Sequence, residues 1–298
     1  MDPLIILFGF GVGVLVGLTG MGGGSLMTPL LILVFGVKPI TAVGTDLAYA
    51  AVTKTVGGFK HFRQHTVDLR LSTWMAIGSV PAAIGGVYVL DLLERAHGAA
   101  FDSLLLTFLA GALLFTGVAV LARALFLPKL VKLERHSMSP HRRHKVAALV
   151  VGVFVGFVLG ATSAGSGALI AVALILVFRL VPTRVVGTDV FHAAILLWAA
   201  AAAHLVAGNI DYALAGTILI GSVPGVWIGS HWSVRIPTAT LRTGLAIVLI
   251  GSGLGLLSKA GAEIPPALLA GVPVTLGVVI LSQQLLRRWR PPVVQPER

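Results

Sequence analysis

The 298-residue chain contains no cysteine, which rules out a disulfide framework, a haem-attachment motif and a thiolate metal site. Charge is scarce: Asp, Glu, Lys and Arg make up 11% of the residues, where a soluble domain carries roughly 25%. Carboxylates are scarcer still, 11 against 22 lysines and arginines. No glycine cluster is preceded by a strand or followed by Gly-Lys-Ser/Thr, so neither a dinucleotide fingerprint nor a P-loop forms and nucleotide binding drops out. No nucleophile–base pair or metal cluster emerges. The chain therefore reads as no enzyme, with no metal and no cofactor. The alternating ~10-residue segments of a transmembrane β-barrel are missing too.

What remains is apolar. Hydrophobic residues make up 56% of the chain, and runs such as Leu104 to Ala122 and Thr243 to Leu257 approach, with their neighbours, the ~20 residues of a spanning helix. These features predict an all-α polytopic membrane protein. The formal charge of +11 does not argue for nucleic acid, because the basic residues cluster in short loops and at the C-terminus. That is the positive-inside pattern, and the partner it implies is membrane lipid. The first apolar segment, Pro3 to Leu18, lacks the basic n-region of a signal peptide and has a counterpart in mid-chain, so it is assigned to the fold.

Sliding the chain against itself by 143 residues aligns 9–86 with 152–229 without a gap, and 29 of the 78 pairs are identical. Similarity at one fixed offset marks a duplicated unit. The matches include Gly13/Gly156, Gly17/Gly160, Thr19/Thr162, Pro39/Pro182, His61/His204, Asp68/Asp211 and Gly-Ser-Val-Pro at 78–81 and 221–224. The tetrapeptide Val-Gly-Thr-Asp recurs at 43–46 and 186–189.

Loop charge gives the relative direction of the two copies. The linker 123–145 and the loop Lys60 to Arg70 are basic, whereas His204 to Tyr212 has no Lys or Arg. Equivalent loops of opposite character belong on opposite faces, so the expected architecture is an inverted-topology repeat. Its parts are a first transmembrane repeat over 1–122, a basic cytoplasmic linker over 123–145, a second, inverted repeat over 146–258, and an extra helix with a basic cytoplasmic tail over 259–298. The N-terminus is placed outside and the C-terminus in the cytoplasm, in a bacterial inner membrane. The first two apolar segments of each half, near 3–18, 25–37, 146–161 and 168–181, are short for a ~20-residue span. They read as broken half-helices meeting at a glycine-rich break, which gives seven crossings if each pair is re-entrant and eleven if each pair crosses fully.

Two glycine-rich breaks separate these short segments. Backbone N–H groups at a helix start, with the positive end of the dipole, favour an anion. Gly22, Gly23, Gly24 and Ser25, with Gly165, Ser166 and Gly167, are the expected substrate-binding positions, while Gly9, Gly13 and Gly17 are assigned to close helix packing. Thr45-Asp46 and Thr188-Asp189 have two readings, capping of a helix start or carriage of a coupling proton at membrane depth. His192 is a candidate for the same proton path. Lys54 could pair with Asp46, attract an anion, or snorkel to the cytoplasmic surface, the last being favoured. His61 and His204 are expected at the interface.

The spaced glycines 13, 17 and 22–24, then Pro-Leu-Leu-Ile at 29–32, Ala-Val-Gly-Thr-Asp at 42–46 and Gly-Ser-Val-Pro at 78–81 resemble the sulfite exporter TauE/SafE family over about residues 4–258. The resemblance implies a secondary transporter moving a small anion, sulfite or an organosulfonate, outward. A proton is the coupling ion to test and a homo-oligomer is compatible. An anion channel of the same fold is the alternative.

Overall fold

The computed structural model describes residues 3–19, 24–126, 136–137, 141–165, 167, 169–233 and 238–288. Among these residues every regular element is helical. The first half forms α1 (Pro3–Thr19), α2 (Gly24–Leu33), α3 (Pro39–Arg63), α4 (Leu69–His97) and, after a 3₁₀ turn at Gly98–Ala100, α5 (Phe101–Phe126). The second forms α6 (Arg142–Thr162), α7 (Leu169–Leu176), α8 (Pro182–Val206), α9 (Tyr212–Ser233) and α10 (Thr238–Lys259), and α11 (Pro266–Arg288) follows.

Among the described residues, four stretches are long and apolar enough to cross a membrane: Leu69–Ala122, which joins α4 to α5, Arg142–Thr162, Pro182–Val206 and Tyr212–Trp232. Side chains such as Val56, Val206 and Trp227 point outward, 73–89% exposed, as a surface solvated by lipid tails requires. The expectation of two half-helices per half needs correction in the second half. α6 has 21 residues, because the helix begins in the basic sequence Arg142 to Lys145, which a search for apolar runs discards. The short helices are α2, with 10 residues, and α7, with 8. They rise about 15 and 12 Å, against a hydrocarbon core of about 30 Å.

Matched local signals start the equivalent long helices. Pro39 and Pro182 occupy the first turns of α3 and α8, where a missing N–H costs nothing. Asp68 and Asp211 head α4 and α9: the Asp68 Oδ1 accepts from the Leu71 N–H at 3.0 Å and the Asp211 Oδ1 from the Leu214 N–H at 2.9 Å.

Packing interlocks the halves. α1 lies parallel to α9, with Gly9, Gly13 and Gly17 set against the main chain of Ile218, Ser222 and Val226. α6 repeats this on α4, with Gly152, Gly156 and Gly160 against Met75, Ser79 and Ala83. Each half thus lends its first helix to the fourth helix of the other. The packing role assigned to these glycines is what their environment requires, since a methyl group on Gly13 would collide with the Ser222 carbonyl.

Equivalent helices run antiparallel. Along α3 and its following loop, Gly44, Thr55, Gly58 and Thr66 approach Asn209, Trp198, Phe191 and Gly187 in turn. As one number rises the other falls. Along α5, Ser103 bonds to the Ala260 carbonyl at 2.6 Å, Ala110 lies against Gly253, and Gly117 lies against Ala246.

Candidate transport site at the helix crossing

α3 and α8 cross in the interior, where Thr45, Asp46, Thr188 and His192 are fully enclosed, with Asp189 and Lys54 almost so. Asp46 and Asp189 are each the eighth residue of their helices. That placement removes the first of their two readings, the capping of a helix start. The positions ahead of α3 and α8 are Lys38 and Val181, neither of which makes a side-chain cap.

The threonines of the repeated tetrapeptide have a clear structural task. Thr45 Oγ1 accepts from the Asp211 N–H at 3.0 Å, and Thr188 Oγ1 accepts from the Asp68 N–H at 2.9 Å. Each holds the capping residue of the other half's fourth helix. Gly44 and Gly187, one residue earlier, leave room for the incoming loops at Asn209 and Thr66.

Asp46 joins three elements. Its Oδ2 accepts from Thr28 Oγ1 on α2 at 2.6 Å and from Ser163 Oγ at the end of α6 at 2.9 Å. Its Oδ1 is buried without a hydrogen-bond partner. At the positions equivalent to Thr28 and Ser163 the second copy has Ala171 and Gly20, neither of which carries a hydroxyl. His192 Nε2 and Ser79 Oγ are 3.3 Å apart, and the equivalent positions in the other copy are Tyr49 and Ser222, whose hydroxyls are both buried.

Lys54 does not snorkel. It is 5% exposed, and its Nζ is buried without a hydrogen-bond partner. The two matched histidines also differ from an interfacial placement in one case. His61 is only half-buried, with Nδ1 3.0 Å from Thr66 Oγ1. His204 is fully enclosed, with Nε2 3.0 Å from the Gly160 carbonyl and Nδ1 facing Asn209.

The break between α6 and α7 closes with Ser163 in the left-handed region at φ 57°, and Gly165 and Gly167 follow at +100° and +92°. Glycine is required there by the backbone itself. The Leu169 N–H bonds to the Gly165 carbonyl at 3.0 Å, so α7 starts directly from the turn. Gly24 and Ser25 open α2, whereas Gly22, Gly23 and Ser166 lie outside the described residues.

An antiparallel pair of duplicated helices enclosing carboxylates and a lysine, beside a short helix broken at glycines, agrees with the comparison of the whole chain with known proteins. The family described as sulfite exporter TauE/SafE matches residues 5–256. The chain belongs to the TauE/SafE family. It is 40% identical over 257 residues to the "Probable membrane transporter protein YjnA" of Bacillus subtilis (strain 168), covering 86% of this chain and all of that protein. A second Bacillus subtilis relative, "Probable membrane transporter protein YdhB", is 26% identical over 254 residues, 85% of this chain and 99% of its own. No solved structure matches the chain. This TauE/SafE family member is an integral membrane protein of a transporter family.

Sequence reasoning missed several partners in the TauE/SafE interior. Thr28 and Ser163, which hold Asp46, have no equivalent in the other copy, so the repeat could not flag them. Ser79 and Ser222 were visible as matched residues of Gly-Ser-Val-Pro, and the pairing of Ser79 with His192 follows only from the packing of α4 on α8.

Proposed function

We propose that this TauE/SafE protein is a secondary transporter that carries a small anion, sulfite or an organosulfonate, out of the cell. The observation that carries this reading is the enclosure of Lys54, Asp46 and Asp189 where equivalent helices of the two copies cross. Ionisable groups at membrane depth are costly and belong to substrate or proton paths. The antiparallel packing of α3 with α8 and of α5 with α10 supports repeats of opposite topology, 1–122 and 146–258, joined by a cytoplasmic linker over 123–145. A carrier that exposes one site alternately to two sides is commonly built in this way.

In this reading the anion meets backbone N–H groups at the glycine-rich starts of α2 (Gly22 to Ser25) and α7 (Gly165 to Gly167), and Asp46, Asp189 and His192 handle a coupling proton. The extra helix and tail over 259–298 end in the cytoplasm, the N-terminus faces outward, and the bacterial inner membrane is the site of action, as a monomer or a homo-oligomer. The test is uptake into proteoliposomes of sulfite, sulfate, thiosulfate, sulfoacetate and simple sulfonates, with and without a proton gradient. Saturable uptake of a sulfur oxyanion or sulfonate supports the reading. Failure of every anion to move through well-folded protein overturns it.

A further inference from the structure

α4 packs closely on α6 and α5 on α10, whereas α5 makes little contact with α4 or α6. The gap between them is a cavity of about 880 Å³, which begins at the α4–α5 turn, between His97 and Ser103, and runs along α5 to Phe115. Two edge-to-face ring pairs join α5 to α6 along it, Phe108 with Phe157 at 6.5 Å and Phe115 with Phe154 at 6.4 Å. Leu104, Phe108, Phe115 and Phe154 in its walls are 40% to 55% exposed, so the cavity opens sideways into the bilayer. No described residue of α3 or α8 lines it. Its contents are therefore separate from the crossing and do not depend on the transporter reading.

The walls suit hydrocarbon. Among the described lining residues only His97, Ser103 and Thr107 have polar side chains, and each is turned to a main-chain carbonyl. His97 Nδ1 faces that of Leu93 at 3.1 Å, Ser103 Oγ donates to that of Ala260 at 2.6 Å, and Thr107 Oγ1 donates to that of Ser103 at 2.9 Å. A polar ligand inside would give up its hydrogen bonds to water without replacement, a cost an alkyl chain does not meet. The length agrees with such a chain. From Ser103 to Phe115 is about 18 Å of helix, close to the ~15 Å that one leaflet contributes to the hydrocarbon core. An acyl chain rooted at the α4–α5 turn reaches the inner ring pair.

Charge at the mouth selects the head group. The chain carries +11 overall, yet the sign reverses around this turn. Asp91, Glu94 and Asp102 surround it, and Glu263 follows the Ala260 that Ser103 holds. Two cations accompany them. Arg95 is paired with Asp91 at 2.9 Å, and Lys259 donates to the Ile32 carbonyl at 2.6 Å. Glu94, Asp102 and Glu263 are exposed and have no ion pair among the described residues. An anionic head group is repelled at such a mouth and an ammonium is attracted. We infer that the cavity holds one acyl chain of a phospholipid with an amine head group, phosphatidylethanolamine in kind, its ammonium set towards these three carboxylates. Exposed charges act weakly through water, so the buried chain supplies the affinity and the head group the selectivity.

Photo-cross-linking and native mass spectrometry of the full chain test this. In liposomes containing phosphatidylethanolamine with a diazirine in its acyl chain, label should concentrate on the cavity walls, around Phe108, Phe115 and Phe157. After detergent washing, a single phosphatidylethanolamine per chain should remain, and phosphatidylglycerol should displace it only at severalfold higher concentration. Gly111 of α5 lines the cavity with open space around it, so Gly111→Leu suits the fold and fills the path of the acyl chain. It should lower retention about tenfold, ~1.4 kcal/mol, whereas Gly216→Leu, at an open position on α9, should not. The label map reads the wild type and stands even where Gly111→Leu fails to fold. Label spread evenly over all lipid-facing helices, undiminished retention by Gly111→Leu, or tighter retention of phosphatidylglycerol overturns the inference. So does a wild type that keeps no lipid but elutes as a dimer that Gly111→Leu dissociates, since a second copy then covers the cavity.

Discussion

Trp198 donates its indole N–H to the Thr55 hydroxyl at 2.8 Å, and the two residues occupy the same position in the two copies of the duplicated unit. Ala110 and Gly253, also equivalent, meet on the other self-paired helices, α5 and α10. Two such contacts support a two-fold relation between the copies, and the helices that cross at each contact are antiparallel. An inverted duplication needs this arrangement.

The first prediction follows from the direction of α3 and α8. Gln64, after α3, and Ala207, after α8, are both exposed and lie at opposite ends of the crossed pair. The span from Gly44, where the 207–211 loop docks, to Gln64 is about 30 Å of helix, close to the thickness of the hydrocarbon core. In a chain without native cysteines, Gln64→Cys should react with a membrane-impermeant thiol reagent from the cytoplasmic side and Ala207→Cys from outside. Reaction of both from one side contradicts opposite topology.

Parallel glycine seams give a second prediction. Gly13 and Gly156 pack on the main chain of Ser222 and Ser79, so Gly13→Val or Gly156→Val must force α1 from α9 or α6 from α4. The cost is expected at ~1–3 kcal/mol or more, read as a lower melting temperature in detergent. Gly11, on the same helix as Gly13, has open space around it, and Gly11→Ala should leave the melting temperature unchanged or slightly raised.

Thr188→Val leaves the Asp68 N–H without its acceptor and is expected to cost ~1–3 kcal/mol. Thr45→Val should do the same at Asp211. Asp68→Ala, which removes the cap of α4, should cost ~0.5–2 kcal/mol. Thermal unfolding of the three variants checks these values, and an unaltered melting temperature in Thr188→Val removes the structural task given to the threonine.

Asp46 separates charge from hydrogen bonding. Asn at this position still offers an oxygen to Thr28 and Ser163, so Asp46→Asn should fold with near-native stability, whereas Asp46→Leu strands both hydroxyls and should melt clearly lower. If Asp46 carries a coupling proton, the Asn variant should bind substrate but lose the pH dependence of transport. Equal stability of the Asn and Leu variants would show that the two hydroxyl bonds contribute nothing.

Much of this was legible in the sequence because duplication writes structural demands twice. Pro39/Pro182, Asp68/Asp211 and the two Gly-Thr-Asp triplets all mark positions where both copies need the same backbone feature. The aspartates misled on one point: a Thr-Asp pair near the start of an apolar run looks like a cap, but the helix had already begun at the preceding proline. Lys54 misled for a related reason. A lysine near the end of an apolar run suggests snorkelling, yet α3 continues to Arg63 and encloses it. What could not be read was the chemistry unique to one copy, such as Thr28 and Ser163 against Ala171 and Gly20, since only the packing of the helices brings those hydroxyls to Asp46.

Counterflow tests the central claim most directly. Proteoliposomes loaded with unlabelled sulfite or methanesulfonate are diluted into a trace of the same labelled anion, with the membrane potential clamped. A secondary transporter gives transient accumulation of label above equilibrium, saturable in the internal anion and abolished in empty vesicles. Label that equilibrates without overshoot, at a rate indifferent to the internal anion, contradicts a carrier and is the behaviour of a channel.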